Sequence, residues 1–81
     1  MQAVQPYNVY RAITKSDTVN FRDGACDAIY CGSTGNVVVI MEDTSAVTFT
    51  GVFSGEILPV RAIRVNNTNS TGTGLVALYY R

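Results

Sequence analysis

The sequence has no histidine and no tryptophan among its 81 residues, and it has a single lysine and only two cysteines. Histidine is the commonest general base and metal ligand in proteins. Two cysteines without histidine do not complete a zinc site. The glycine-containing stretch GSTGN at 32–36 lacks the lysine that follows in a phosphate-binding loop. The sequence therefore predicts that the protein is not an enzyme and holds no cofactor or metal.

Strong charge of either sign is also missing, because six basic residues balance six acidic ones. A neutral chain has no positive field to attract nucleic acid or acidic lipids. No apolar run approaches the roughly 18 residues that a membrane-spanning helix needs. Five of the six basic residues are arginine, the cation enriched at protein interfaces. The sequence thus predicts neither a nucleic-acid partner nor a membrane, and its arginines suit a protein interface.

The two cysteines, Cys26 and Cys31, lie five positions apart. In an extended segment their Cα atoms would be roughly 16 Å apart, well beyond the limit of about 7 Å for a disulfide. An odd separation also directs the two side chains to opposite faces of a strand. We therefore expect two reduced, largely buried thiols, as is typical of proteins assembled in a reducing cytoplasm.

What the chain does contain is a series of short β-type segments separated by turn-forming residues. The segments are 26–31, 36–41, 47–52, 57–67 and 75–81. Starts at this fairly even spacing are typical of a sandwich or barrel. The run NVVVIM at 36–41 is apolar throughout, as in strands covered on both faces. We predict an all-β fold, a small antiparallel β-sandwich or barrel over residues 25–81, with the stretch 32–36 forming a hairpin turn.

Residues 1–24 differ, with aromatic residues scattered without period and one short candidate strand at 7–13. We predict an extended N-terminal arm that packs either on its own sandwich or on a neighbour; the alternative is a frayed terminus. Tyr7, Tyr10 and Phe21 are its expected buried anchors.

The last segment, LVALYYR, has no water-facing side. Leu75, Ala77 and Tyr79 would lie on one side, with Val76, Leu78 and Tyr80 on the other. An exposed strand of this kind would aggregate unless a partner covered it. We therefore expect another copy of the protein, or a larger assembly, to cover its second side. The segment 57–67 carries an arginine on each face, and the candidate interface residues are Tyr7, Tyr10, Phe21, Arg61, Arg64, Val76, Leu78, Tyr79 and Tyr80.

From residue 28 onward the order of motifs resembles a family of small virion proteins of tailed bacteriophages and phage-like gene transfer agents. The matching stretches are AIYCGSTGNV at 28–37, VTFTGVFSG at 47–55, LPVRAIRV at 58–65 and TGTGLVALY at 71–79. Cys31 stands where the family pattern has valine, and Phe53-Ser54 stands where Pro-Ala is more common. Members of this family are described as head-spike base or capsid decoration proteins.

The resemblance implies a non-enzymatic, oligomeric β-domain fixed to the outside of a capsid, either as a cement protein or as the vertex base of a spike. Its implied partners are the major capsid protein, further copies of itself as a trimer or pentamer, and a spike or fibre protein. The implied location is the virion, assembled in the cytoplasm of a bacterial host. The alternative is a virion module that binds carbohydrate or a host surface, which would need exposed aromatic residues such as Tyr79 or Tyr80.

Overall fold

Seven strands and no helix make up residues 7–81, the part of the chain that the computed structural model describes. The strands are β1 Val9–Ala12, β2 Ala28–Tyr30, β3 Gly35–Met41, β4 Ala46–Val52, β5 Ile57–Leu58, β6 Ala62–Val65 and β7 Val76–Tyr79. They form a four-stranded antiparallel sheet in the order β1-β7-β2-β5 and a three-stranded antiparallel sheet in the order β4-β3-β6. The predicted all-β fold is confirmed, and of the two alternatives it is a sandwich of two antiparallel sheets.

The core lies between the two sheets and is built from alternate residues of their strands. Ile29, Ala77 and Tyr79 of the four-stranded sheet meet Val37 and Val39 of the three-stranded sheet, and none of them is more than 1% exposed. Tyr79 is the largest of these side chains, and its hydroxyl donates a hydrogen bond to the Gly24 carbonyl at 2.9 Å. The buried phenol is therefore satisfied, which removes most of the cost of burying it.

Strand β3 is buried on both faces, as its apolar run predicts. Residues 37–40 are exposed by 7% or less. Ile40 lies on the outer face, where Arg64 is its cross-strand partner. The half-buried Arg64 side chain is held by the Asn66 side-chain oxygen at 3.1 Å and the Asn20 side-chain oxygen at 2.9 Å. The second face of β3 is thus covered by the chain itself.

The predicted single strand at 57–67 is wrong, because the segment forms β5 in one sheet and β6 in the other. The break is at Pro59, where the Val60 amide donates to the Leu58 carbonyl at 2.9 Å and closes a three-residue turn. The fixed φ of proline suits the centre of such a turn.

A β-bulge then sets the register of β6. Met41 pairs with Ala62 whereas the preceding Ile40 pairs with Arg64, so Ile63 is an extra residue. Ala62 and Val65 are both fully buried although they are three positions apart. The bulge makes this possible, since strict alternation would send them to opposite faces.

The loop at 32–36 is not the predicted hairpin turn, because it joins β2 of one sheet to β3 of the other. It packs directly on the segment before β7. A Cβ atom on Gly32 would lie 2.6 Å from the Gly74 carbonyl oxygen, and one on Gly35 would lie 2.8 Å from the Gly72 amide nitrogen. Only glycine allows the two backbones to approach this closely.

Both cysteines are free and fully buried. The expectation that they face opposite sides of a strand is wrong, since both belong to the core cluster. The reason is that β2 covers only Ala28–Tyr30, so Cys26 lies outside the alternating stretch. Burial raises the pKa of both thiols, which stay protonated at neutral pH.

The described part of the predicted arm packs on its own sandwich. Strand β1 pairs with β7, and the chain then follows the edge of β6, where the Ser16 amide donates to the Val65 carbonyl and the Phe21 amide to the Ile63 carbonyl. Residues 1–6 of the arm lie outside the described residues. The division into 1–24 and 25–81 stays a prediction.

The expected anchors of the arm differ in burial. Tyr7 and Phe21 are half-buried, and Phe21 packs against the core. Tyr10 is 59% exposed, so the expectation that it is buried is wrong for the isolated chain. The reason is its position on the outward face of the edge strand β1.

Two charged side chains of the arm hold the polar loop at 66–74. The Lys15 ammonium donates to the carbonyls of Ser70 at 3.1 Å and Gly72 at 2.9 Å. The Asp17 carboxylate accepts from the amides of Asn67 and Thr68, both at 2.9 Å, and from the Thr68 hydroxyl at 2.6 Å. The arm therefore determines the shape of the loop that leads into β7.

We expect Gly32→Ala to lower the free energy of unfolding by about 3 kcal/mol, since the new methyl group would overlap backbone atoms that cannot move independently. Gly51→Ala is the matched control, because Gly51 has a φ of 71° and a methyl group added there would meet no atom within 4 Å. Gly51→Ala should lower the free energy of unfolding by only about 1 kcal/mol, because alanine is strained in the left-handed conformation. Urea unfolding of both variants measures the difference. Equal losses of unfolding free energy in the two variants would show that the loops can move apart to accept the methyl group.

We expect Asp17→Asn to lower the midpoint of thermal unfolding at neutral pH, with the deficit shrinking in acid. Hydrogen bonds from Thr68 lower the pKa of Asp17 below its ordinary value of 3.8. A lowered folded-state pKa adds stability above the unfolded-state pKa, and this stability is lost as the pH falls through the folded-state value. Melting curves of both proteins between pH 7 and pH 2 test this. A deficit that does not change with pH would contradict it.

Candidate interaction surface

The outward face of the four-stranded sheet is apolar and rich in tyrosine. Ala77 and Tyr79 point into the core, so Val76 and Leu78 point outward. The pairing register then aligns two outward rows across the sheet. The first row is Tyr10, Leu78 and Ala28, and the second is Ala12, Val76, Tyr30 and Ile57. We call these seven residues, with Tyr80 at the end of β7, the aromatic face.

No charged residue occupies either row of the aromatic face. Tyr10 is 59% exposed, Tyr80 56%, Ile57 46% and Tyr30 38%. A tyrosine side chain buries about 150–250 Å² when covered, so the three tyrosines leave roughly 300 Å² accessible. A contiguous apolar patch of this size is often functional. Tyrosine enrichment and depletion of charge are the composition of a protein–protein interface core.

The outward face of the three-stranded sheet is different. Thr48 lies there beside Val38, and Arg64 lies there beside Ile40. The Arg64 guanidinium and its partners Asn20 and Asn66 place polar groups over this side. The sandwich is therefore asymmetric, with one outer face suited to a protein partner and the other to water.

The structure revises the expectation that another copy of the protein must cover the second side of the last strand. β7 lies between β1 and β2 within its own sheet, and Leu78 on its outward face is only 7% exposed. The same chain therefore covers most of that side. The accessible part is at its ends, where Val76 is half-buried and Tyr80 exposed.

The sequence-predicted interface residues fall into three groups. Tyr10, Val76, Leu78 and Tyr80 belong to the aromatic face. Tyr7, Phe21 and Tyr79 pack within the chain; burial raises the pKa of Tyr79, whose ring lies 4.5 Å from the Arg81 guanidinium carbon. Arg61 and Arg64, the third group, make intramolecular contacts. The side chain of Tyr79 is therefore not available to stack on a glycan.

Arg61 links three parts of the fold. Its guanidinium donates to the Asp27 carboxylate at 2.9 Å and to the Glu42 carboxylate at 3.1 Å. The hydrogen bond and the charge of Glu42 raise the pKa of Arg61. The other oxygen of Asp27 accepts the Tyr80 amide at 2.7 Å. Arg61 thus helps to position the end of β7, where Tyr80 joins the aromatic face.

Sequence reasoning missed Tyr30 and Ile57. Both stand in segments that it predicted as strands, but their alternation alone does not say which side of a strand faces the core. The cross-strand pairing of Tyr30 with Ile57 and with Val76 identifies them as members of the aromatic face.

Residues 7–81 contain no cluster of three or more cysteine, aspartate, glutamate or histidine side chains that could hold a metal ion. Within the same range there is no helix of the length and apolarity needed to cross a membrane.

Neither a family model nor a curated protein matches the chain. Among solved structures, it is similar to a chain of the structure titled "Capsid of native GTA particle computed with C5 symmetry". The two chains are 37% identical, and the match covers 94% of this chain and 90% of the other with a TM-score of 0.82. An identity of 37% over most of both chains goes beyond a shared sandwich architecture.

Proposed function

The chain belongs to the family of capsid-associated proteins that includes this gene transfer agent chain, and from that membership we propose that it is a structural protein of a virion or virion-like particle. In this proposal the protein is fixed to the outside of the capsid, with no catalytic role. The observation that carries the proposal is the 37% identity over 94% of the chain to a chain of a capsid particle.

The aromatic face supports this role because it gives the protein a surface for docking on another protein. Its exposed tyrosines and Ile57 bring apolar area without charge, so the partner surface must also be largely uncharged. The accessible area is below the roughly 800 Å² that each partner contributes to a standard interface. Tight attachment then comes from many copies bound to one symmetric shell.

Within this role the protein is either the base of a vertex spike or a distributed cement protein, and the symmetry of its oligomer separates the two. Five-fold symmetry is that of a capsid vertex, where a ring of five copies would form a platform for a spike or fibre protein. A cement protein at three-fold positions would instead assemble as a trimer. In both cases the particle would be assembled in the cytoplasm of a bacterial host.

We expect native mass spectrometry of the purified protein at micromolar concentration to give the mass of an oligomer, with five chains for a spike base or three for a cement protein. A trimer would rule out the vertex position, and a pentamer would rule out three-fold positions. A stable monomer would show that copies associate only on the capsid, and self-assembly in solution would then be wrong.

We expect Tyr10→Glu to weaken binding to capsids that lack the protein by at least about thirtyfold. An unpaired carboxylate enclosed in an apolar interface costs about 2 kcal/mol or more. Tyr10 is exposed, so the substitution should leave the fold intact. Thr18→Glu is the matched control, because Thr18 is exposed in the segment that follows the edge of β6 in the other sheet.

Cosedimentation with capsids measures the binding of both variants. Equal binding by Tyr10→Glu and wild type would remove the aromatic face from the capsid contact. If the wild-type protein did not bind capsids but bound soluble glycans, the alternative of a carbohydrate-binding virion module would replace the proposal.

A further inference from the structure

The edges of the two sheets are protected to different degrees. The edge of β6 is covered by the chain at 16–21, through hydrogen bonds to the Val65 and Ile63 carbonyls. β5 has only two residues, and β1 has four, one of which is Arg11. β4 has seven residues, and within the part of the chain that the structure describes no segment pairs with its outer side. β4 is therefore the long open edge of the sandwich.

The free backbone groups of this edge follow from the alternation of hydrogen bonds along β3. The Val38 carbonyl accepts the Asn66 amide on the β6 side, whereas the Met41 amide donates to the Ser45 carbonyl on the β4 side. Val37 and Val39 therefore bond β4, through Phe49 and Val47. The N–H and C=O groups of Thr48 and Thr50 consequently point away from β3, toward the open side.

Natural proteins protect edge strands with lysine, proline, inward-pointing charges, β-bulges or short length. β4, AVTFTGV, has one of these devices, a β-bulge after Phe49, where Gly51 has a φ of 71°. The regular part of the strand, at 46–50, has none. β4 has no charged residue and no proline, and five of its seven residues are valine, threonine or phenylalanine. These residue types favour strand pairing. The regular part of this edge, at 46–50, is therefore a template for another strand.

The open side also leaves part of the core accessible. Val47 and Phe49 point toward the core, yet Val47 is 42% exposed and Phe49 only half-buried. A groove of about 430 Å³ lies beside the second half of β4 and the turn after it, and its lining includes Phe49, Phe53 and Leu58. Phe53 is 71% exposed. Apolar side chains from an added strand would cover this groove.

Acidic groups stand near both ends of the open edge. Asp43 is in the hairpin before β4, and Glu56 lines the groove after it. The Asp43 carboxylate accepts hydrogen bonds from Ser45, and the Glu56 carboxylate accepts one from the Phe53 amide. Among residues 7–81 neither carboxylate forms a salt bridge. The edge therefore favours a partner with basic residues at its flanks.

We propose that β4 takes an extended segment of a different protein chain as an additional strand of the three-stranded sheet. The segment has apolar residues at alternate positions facing the groove and basic residues at its ends. Its backbone pairs with the free N–H and C=O groups of Thr48 and Thr50, which is the mode of recognition by strand addition. This site belongs to the other sheet from the aromatic face and goes beyond the proposed attachment to a capsid.

A second copy of the same chain fits the edge less well. Two β4 strands paired antiparallel about a two-fold axis would bring Asp43 of one copy toward Glu56 of the other. Like charges placed opposite each other in paired strands are destabilising. The β1 edge of a second copy is only four residues long, so it would leave much of β4 unpaired.

The test uses a blocked eight-residue peptide of alternating valine and threonine with a lysine at each end. Titration into the isotope-labelled protein, followed by amide chemical shifts, should show binding with shifts concentrated at residues 46–53. Thr48→Pro should weaken binding at least tenfold, because it removes an outward N–H without removing a bond to β3. Thr48→Ala, which keeps the N–H, should bind within about twofold of wild type.

Two further measurements keep the test decisive if Thr48→Pro does not fold. A peptide N-methylated at alternate amides should fail to bind the wild-type protein. The amides of Thr48 and Thr50 should exchange rapidly in the free protein and become protected by the unmethylated peptide. Absence of peptide binding, equal binding of the methylated peptide, or shifts centred on the aromatic face would overturn the proposal. So would a wild-type dimer that Thr48→Pro converts to a monomer, since a second copy would then occupy the edge.

Discussion

The close contact between two glycine-containing loops is the constraint on which the arrangement of strands depends. Gly32 and Gly35 follow β2, Gly72 and Gly74 precede β7, and their backbones approach to distances that a Cβ atom would prevent. The contact holds the loop that joins β2 to β3 against the segment that leads into β7. β7 can then lie between β1 and β2, which places Tyr10, Tyr30 and Tyr80 on one outward face. The surface proposed to dock on a capsid thus depends on glycines that are not part of it.

The N-terminal segment covers parts of the sandwich that the other strands of this small domain leave exposed. It supplies β1, covers the edge of β6 and, through Lys15 and Asp17, shapes the loop at 66–74. Small domains bury a smaller fraction of their surface than large ones, so each segment that covers an edge or a loop matters. The long edge that this segment leaves open is β4. A capsid-associated protein with an apolar face on one sheet and an open edge on the other is suited to joining two different partners.

Sequence reasoning located most strands because hydrophobic alternation and apolar runs are local signals. It recognised β3 as buried on both faces and placed β4 and β7 within a few residues. It failed at 57–67, where the turn at Pro59 and the bulge at Ile63 break a segment that reads as continuous. It also misplaced Cys26, since the length of β2 is set by its pairing with β5 and β7. Tyr30 and Ile57 of the aromatic face were missed, because they become neighbours only through that pairing.

The sequence by itself determined the all-β class, the neutral charge, the lack of histidine chemistry and the burial of β3. All of these follow from composition or from patterns within a few residues. Its motifs also indicated the family to which the chain belongs. Only the tertiary structure decided which strands share a sheet, which side of β7 faces outward and which edge stays open. Those features depend on hydrogen bonds between residues far apart in the chain, such as Asp17 with Thr68. Patterns within a few residues do not indicate which distant residues pair.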